Sequence, residues 1–424
     1  MGFIEELKWR GMLQDMIPET EDYVNSGSAS AYIGFDPTSD SLHVGNLATI
    51  MLLVHFQRYG NKPIALVGGA TGMIGDPSGK SAERNFLDEG QLRLNQNCIE
   101  KQLRQFLDFD GDAAAVVVNN YDWMKKISFL DFIRDIGKHI TVNYMMAKDS
   151  VKNRIEGQGI SFTEFSYQLV QGTDFYHLFS EMDCKMQMGG SDQWGNITTG
   201  VELIRRKRGD KAFALTCPLV TKADGSKFGK TESGNVWLDR ERTSPYKFYQ
   251  YWINASDEDA VKLIKVFSLK SKEEIESMIL QHEKEPHLRI IQKALAEELT
   301  ERVHSKSDLT KAIEATNILF GKSTKDQLVD LSERDILEVF EGVPTFHIGR
   351  DDLSSSPGII DFLAGTTEIL SSKGEARRSV KENSISVNKE KVGDAKLVSD
   401  SDLISDKYIV VQKGKKQYFL VVVD

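Results

Sequence analysis

Between Ser30 and Gly69 the chain reads as strand, helix, strand, and this spacing constrains the fold more than any other feature. "SAYIGF" (30–35) is a short strand candidate, and "LHVGNLATIMLLVHFQRYG" (42–60) has the length of a helix, closing on Gly60 and followed by Pro63. "KPIALVGG" (62–69) is a continuous apolar run, the pattern of a strand covered on both faces. A crossover of this kind joins parallel strands with a right-handed turn. Strand candidates recur at 114–123, 184–190 and 213–220, separated by helical patterns at 128–140 and 194–209. The fold class expected is α/β, a Rossmann-like parallel sheet.

After Ser244 the texture turns helical, from "SPYKFYQYWIN" to "PHLRIIQKALAEELTERVHS", with Ser, Asp or Asn before most helices. The mixed stretch 322–356 reads as a linker. The last block runs from a helix, "SSKGEARRSVKEN", into a strand, "SISVN", and a hairpin, "DKYIVVQKGKKQYFLVVV". A chain of 424 residues exceeds what one core supports. The division expected is 1–235 for the α/β domain, 245–321 for an α-helical domain, 322–356 for the linker and 357–424 for a small α+β domain.

Three cysteines, Cys98, Cys184 and Cys217, are odd in number with no close pair, which argues against a disulfide framework or a zinc cluster and fits a reducing cytosol. The first residues, "MGFIEELKWRGMLQDM", read as an amphipathic helix carrying acids rather than a targeting segment. No apolar run reaches spanning length, so a cytoplasmic location without a membrane partner is expected. A net charge of −10 weighs against a nucleic-acid partner for the whole chain, yet from Ser371 onward 11 Lys and Arg face 8 Asp and Glu. The tail is locally basic.

Three stretches bear chemistry. In "FDPTSDSLHVGN", His43 and Asn46 stand at a helix start, where unsatisfied N–H groups and a partial positive charge attract phosphate. On those residues alone the stretch reads more readily as a capping turn with a satisfied histidine. "GGATGMIGDPSGKSAER" ends in "GKS" but carries Ile74 where a P-loop needs glycine, and its spacing misses the dinucleotide fingerprint. What survives there is a sharply turning loop with Asp76, Lys80 and Arg84. "TKADGSKFGKTESG" places Lys227 and Lys230 among glycines, a loop suited to closing over polyphosphate or, more plainly, a surface turn. Together they suggest nucleotide activation by positioning and electrostatics, with no nucleophile or metal cluster in view.

These same residues carry a resemblance. "FDPTSDSLHVGN" resembles the HIGH signature and "KFGKT" the KMSKS signature of class I aminoacyl-tRNA synthetases. "LVGGATGMIGDPSGKSAER", "ISFTEFSYQLVQGTDF" and "MGGSDQWGNITTG" are similar to the bacterial tyrosyl-tRNA synthetases, almost from residue 1 to about 320, and the final block resembles the S4 RNA-binding domain of that family. The resemblance implies ATP-dependent activation of tyrosine to tyrosyl-adenylate and pyrophosphate, then transfer to the 3′ end of tRNA(Tyr). Magnesium would accompany ATP without a dedicated protein metal site.

By resemblance, Tyr32 and Asp174 pair with the substrate phenol, while Asp76, Tyr167 and Gln171 hold its ammonium group and Gln193 lies near its carboxylate. Gly34, Asp36, Thr38, His43, Gly45, Asn46, Thr49, Gly190 and Asp192 line the ATP site. Lys80, Arg84, Lys227, Lys230 and Thr231 grip the pyrophosphate, and the catalytic set is His43, Asn46, Lys80, Arg84, Lys227, Lys230 and Thr231. Two positions depart from the family pattern: Asn46 replaces the signature's second histidine, and Thr173 stands where an aromatic is usual. For RNA, Lys373, Arg377, Arg378 and Lys381 on the tail helix resemble the S4 module's RNA-facing surface, whereas "IRRKRG" (204–209) reads as a solvated helix end. The resemblance further implies a homodimer with its interface in an insertion at about 105–165.

Overall fold

The computed structural model describes residues 2–78, 87–157, 159–223, 225, 228–231, 234–320, 328, 331–340, 343–414 and 417–424. They form two compact units: Met1–Thr243 with Tyr251–Val303, and Ser244–Gln250 with His304–Asp424.

The first unit is built on a six-stranded sheet of β1 (Asp15–Met16), β2 (Ser30–Phe35), β3 (Lys62–Val67), β4 (Val116–Asn119), β5 (Met186–Gly190) and β6 (Phe213–Cys217), in the order β1-β6-β5-β2-β3-β4. Only β1 runs antiparallel. The expected crossover joins β2 to β3 through the helix Val44–Arg58, and Tyr32 sits level with Ile64 on one side and Gln187 of β5 on the other. That helix is apolar almost all round, and residues from Val44 through Phe56 are largely buried, as expected of a helix enclosed by protein. The candidate strand at 114–123 is shorter than its sequence suggested. β4 ends at Asn119, and Tyr121–Met124 turns into a helix that brings Trp123 beneath the sheet's edge toward Asp174.

The helical stretch read as one domain, 245–321, is divided between the units. Helix Asp257–Phe267 buries Ala260, Leu263, Ile264 and Phe267, and helix Ile290–Val303 buries Ile291, Leu295 and Leu299, both within the first unit. Helix Lys306–Phe320 belongs to the second. Helical periodicity marks each element but says nothing of which core receives its apolar stripe.

The second unit holds a five-stranded sheet of β9 (Thr345–Ile348), β10 (Ile385–Val387), β11 (Glu390–Lys391), β12 (Tyr408–Lys413) and β13 (Gln417–Val423), in the order β11-β10-β12-β13-β9. The expected hairpin is β12–β13. β9 lies inside the stretch read as linker and pairs in parallel with β13, so that stretch supplies part of the sheet. Four residues of mixed pattern give no periodic signal, and their partner lies some seventy positions later in the chain. Among the described residues no helix is long and apolar enough to cross a membrane.

Candidate active site

A cavity of about 340 Å³ opens beyond the carboxyl ends of β2 and β5, where the sheet order reverses and open α/β sheets bind their ligands. Tyr32, Gly34, Asp36, Thr38, His43, Gly45, Asn46, Thr49, Asp76, Tyr167, Gln171, Asp174, Gly190, Asp192 and Gln193 all line it. Residues chosen from four separated sequence stretches thus line one cavity. Lys80, Arg84 and Lys227 lie outside the described residues, as does the side chain of Thr231.

The deep end is a polar network closed off from water. Asp174 lies on helix Phe162–Met182 at 1 % exposure, where Asn120 Nδ2 donates to its Oδ2 at 2.9 Å and Trp123 Nε1 to its Oδ1 at 2.8 Å. Burial dominates over those two donors and pushes the carboxyl up to about 7. Asn120 also donates to Thr71 Oγ1, which donates to Asp36 Oδ1 at 2.6 Å. Tyr167 donates its hydroxyl to the other Asp36 oxygen at 2.8 Å. Burial holds the phenols of Tyr32 and Tyr167 protonated, with Asp174 and Asp36 respectively adding to the effect. Tyr32 Oη is buried without a hydrogen-bond partner among the described residues. A buried polar atom left unpaired costs about 1–3 kcal/mol, so this one marks a place where a ligand group belongs.

The middle of the cavity centres on Asp76. Gln193 Nε2 donates to its Oδ2 at 2.6 Å, Ser78 N donates to its Oδ1 at 2.9 Å, and buried Asn196 reaches Asp76, Ser78 and Gln193 together. The loop 68–78 turns sharply because Gly68 lies against Asp36 and Thr71: a Cβ there would meet Asp36 Oδ1 at 2.1 Å. That is the close approach the glycine-rich stretch provides in place of a P-loop.

At the open end the two readings of "HVGN" prove to be one structure. His43 is the N-cap of helix Val44–Arg58, with Nδ1 accepting from Gly45 N at 3.0 Å, and Asn46 Oδ1 accepts from His43 N at 3.1 Å. Capping therefore fixes the donors: with Nδ1 accepting, the imidazole proton sits on Nε2, and with Oδ1 accepting, the Asn46 amide keeps its N–H groups for another partner. A Cβ at Gly45 would lie 2.7 Å from His43 Cε1, so glycine is needed for the cap itself.

The "KFGKT" stretch is stitched onto this helix start. Val44 N donates to Val236 O, Leu238 N donates to Leu42 O, and His43 bridges to Trp237. Gly229, at φ 80°, packs so close that a Cβ would meet Val44 Cγ2 at 2.8 Å, while buried Phe228 lies on Tyr251, Trp252 and Phe267. Lys230 begins the two-stranded ribbon of β7 (Lys230–Thr231) and β8 (Gly234–Asn235), with its side chain exposed.

Several members of the site escaped the sequence reading: Asn120 and Trp123 under Asp174, Thr71 and Ser78 on the turning loop, Asn196, and Gln187, whose buried Oε1 has no partner among the described residues. Asn120 and Trp123 stood inside an apolar strand candidate, and no spacing rule joins them to a carboxylate fifty residues away. Thr173 stays outside the cavity lining and is buried, its hydroxyl donating to Leu169 O within the helix at 2.7 Å. In the second unit Lys373, Arg377, Arg378 and Lys381 are exposed on helix Lys373–Lys381, with Lys373 paired to Asp361. The basic end of helix Trp194–Arg208 is tied to its neighbours, with Arg205 and Arg206 on Glu202 and Arg208 on Asp210.

Comparison with known proteins fits this geometry. A family model described as class I tRNA synthetases (W and Y) matches residues 25–321, and one described as the SYY-like C-terminal domain of tyrosine–tRNA ligase matches 335–421. Fold and site thus define a class I aminoacyl-tRNA synthetase. Over 100 % of both chains the sequence is 60 % identical to the tyrosine–tRNA ligase of Porphyromonas gingivalis, and 58 % identical to that of Bacteroides thetaiotaomicron over the same share. A C-terminally truncated mitochondrial tyrosyl-tRNA synthetase of Aspergillus nidulans superposes with a TM-score of 0.66 at 29 % identity, covering 73 % of this chain and 92 % of that one. The chain belongs to the tyrosine–tRNA ligases, enzymes that charge tRNA with tyrosine.

Proposed function

We propose that the cavity holds both small substrates at once, with tyrosine in the deep end and ATP across the helix start. The observation that carries this reading is the unpartnered Tyr32 Oη beside buried Asp174. The substrate phenol donates to the Asp174 carboxylate and accepts from Tyr32. Phenylalanine leaves both unpaired, and the handling of a hydroxyl by a buried polar site is what gives tyrosine enzymes of this class their discrimination without editing. The ammonium group lies among Asp76, Tyr167 and Gln171, and Gln193 turns toward the carboxylate.

The carboxylate attacks the α-phosphorus in line, and negative charge accumulates on the departing pyrophosphate. His43 Nε2–H and the Asn46 amide donate to the phosphates, the N-terminal field of the helix adds to them, and Lys80, Arg84, Lys227, Lys230 and Thr231 receive the leaving group. Asp192 takes the ribose. Magnesium would accompany ATP.

The second unit, with an S4-like surface at Lys373, Arg377, Arg378 and Lys381, contacts tRNA(Tyr) backbone and shape. Exposed Phe129, Leu130, Ile133, Val142 and Phe162 suit a homodimer interface within 105–165, in a cytoplasmic enzyme. A single-chain mass by sedimentation at working concentration would count against the dimer.

ATP–pyrophosphate exchange with each amino acid tests the pocket, and tyrosine is the one expected to support it. Exchange with phenylalanine at a comparable rate would overturn the Tyr32–Asp174 assignment. Arg377→Glu with Arg378→Glu should leave exchange intact and weaken tRNA charging about tenfold, since phosphate contacts are lost without touching the chemistry. Unchanged charging would remove that helix from tRNA binding.

A further inference from the structure

Helix Glu89–Leu103 carries amides where a core-facing helix ordinarily carries leucine or isoleucine. Its buried stripe runs Leu92, Asn95, Gln96, Ile99, Gln102 and Leu103, the spacing of one face turned inward. A buried amide is destabilising unless it is paired, so what each of these holds is informative. Gln96 Oε1 accepts from Asn119 at the end of β4. Asn95 Nδ2 donates to Pro37 O at 3.1 Å, just past β2. Gln102 reaches the other end of that connection, its Oε1 accepting from Leu42 N at 2.8 Å and its Nε2 donating to Ser41 Oγ at 2.9 Å.

Gln102 holds more than this connection. Ser41 Oγ also accepts from Asp239 N at 3.1 Å and donates to Leu42 O at 2.7 Å, and Leu42 O accepts in turn from Leu238 N. Residues 236–239 follow the "KFGKT" ribbon and lie antiparallel against 42–44, with His43 bridged to Trp237. One buried amide thus stands behind the junction where the two signature segments meet. The protons of the junction follow from its partners. Leu42 N can only donate, so Oε1 faces it and Nε2 faces Ser41 Oγ; that hydroxyl gives its hydrogen to Leu42 O and both lone pairs to Gln102 and Asp239. Reversing any donor leaves a buried group unpaired, so the network has one solution, and it fixes the two peptides immediately before His43.

We propose that Gln102 is a positioning residue for adenylate formation, which lies outside the cavity lining and acts by holding Leu42, and with it the His43 ring, against the segment that follows Lys230. This role rests on His43 donating to the phosphates of ATP.

Single-turnover adenylate formation and equilibrium tyrosine binding, measured on the full chain well below its melting temperature, test both. Gln102→Met keeps the length of the side chain and removes its hydrogen bonds. It should slow the step at saturating ATP about tenfold or more and leave tyrosine affinity within about twofold. Gln102→Glu gives a readout that lost packing would not move. A protonated carboxyl reproduces the amide, accepting from Leu42 N and donating to Ser41 Oγ, whereas a carboxylate sets an acceptor against an oxygen with no proton to give. Burial holds such a carboxyl protonated to higher pH, so the rate relative to the unsubstituted protein should stand near parity at about pH 6 and fall as pH rises. Should Gln102→Met not fold, this pH profile decides.

His43→Ser keeps an N-cap and removes the ring. It should slow the step, and Gln102→Met added to it should cost little more, because both act through one donor. A neutral His43→Ser would overturn the phosphate role of His43 and this one with it; a damaging His43→Ser beside an unaltered Gln102→Met would overturn the role of Gln102 alone. Tyrosine affinity falling as far as the rate, a pH-independent Gln102→Glu ratio, or full additivity with His43→Ser would each overturn it as well.

Discussion

The two ends of the catalytic cavity are built on opposite principles. At the deep end Tyr32, Tyr167 and Asp174 are buried, and Asn120, Trp123 and Thr71 fix their surroundings through hydrogen bonds. At the open end His43 and Asn46 are half-buried, and Lys230 projects from a two-stranded ribbon whose anchor, Phe228, is buried behind it. The difference matches the division of labour proposed for the two ends. Rejecting a substrate that lacks one hydroxyl requires buried groups that suffer when unpaired. Stabilising charge that appears only as the bond breaks requires cations that need not be desolvated beforehand and that meet their partner late.

The contrast can be broken by three substitutions, in falling order of effect. Lys230→Ala should slow tyrosyl-adenylate formation by about 10²–10³ and leave tyrosine affinity within about twofold, the pattern of a donor used only in the transition state. Equal losses in rate and in affinity, read by single-turnover kinetics and equilibrium binding, would place Lys230 with the deep-end groups.

Asp174→Asn should lower kcat/KM for tyrosine by about 10², since the phenol loses a charged acceptor. It should also stabilise the protein above neutral pH. The folded carboxyl, at about 7, lies above its unfolded value, so the folded state holds a proton that the unfolded chain releases. Stability from this group is therefore full below the unfolded value near 4 and is lost as pH rises toward 7, and the amide removes the loss. Melting at about pH 8 and pH 4 measures it: a gain confined to the higher pH is expected, and no difference between the two would deny the raised carboxyl.

Tyr32→Phe should have the smallest effect, lowering discrimination between tyrosine and phenylalanine by about tenfold, the worth of one neutral hydrogen bond. A change in discrimination as large as that of Asp174→Asn would show that the deep end shares its function evenly rather than resting on the carboxylate.

Much of the site was legible because the chain writes parts of it as continuous words. "HVGN" is a helix start, and capping, glycine and phosphate field are local properties of four residues; "GGATGMIGDPSGK" is a turn whose glycines answer to neighbours within the same loop or one strand away. Trp123 and Asn120 were not legible. Their role is set by a 2.8 Å and a 2.9 Å contact to Asp174, and nothing within a few residues of either signals it. The Asn46 departure becomes intelligible in the same way. Oδ1 accepts from the N-cap backbone, and an asparagine supplies that acceptor and an outward donor on one group, where an imidazole would use one ring nitrogen for each.

The sequence by itself determined the parallel sheet and the order of its helices, because periodicity, caps and turns act over a few residues and bury what is apolar, whereas the residues proposed for the substrate pocket were carried by resemblance to the family. Only the tertiary structure decided which helices serve which core, that β9 completes a sheet with a strand from the far end of the chain, and that a buried carboxyl is held near neutrality. These depend on desolvation and on hydrogen bonds between residues far apart in sequence, and such terms come into existence only when the chain closes around them.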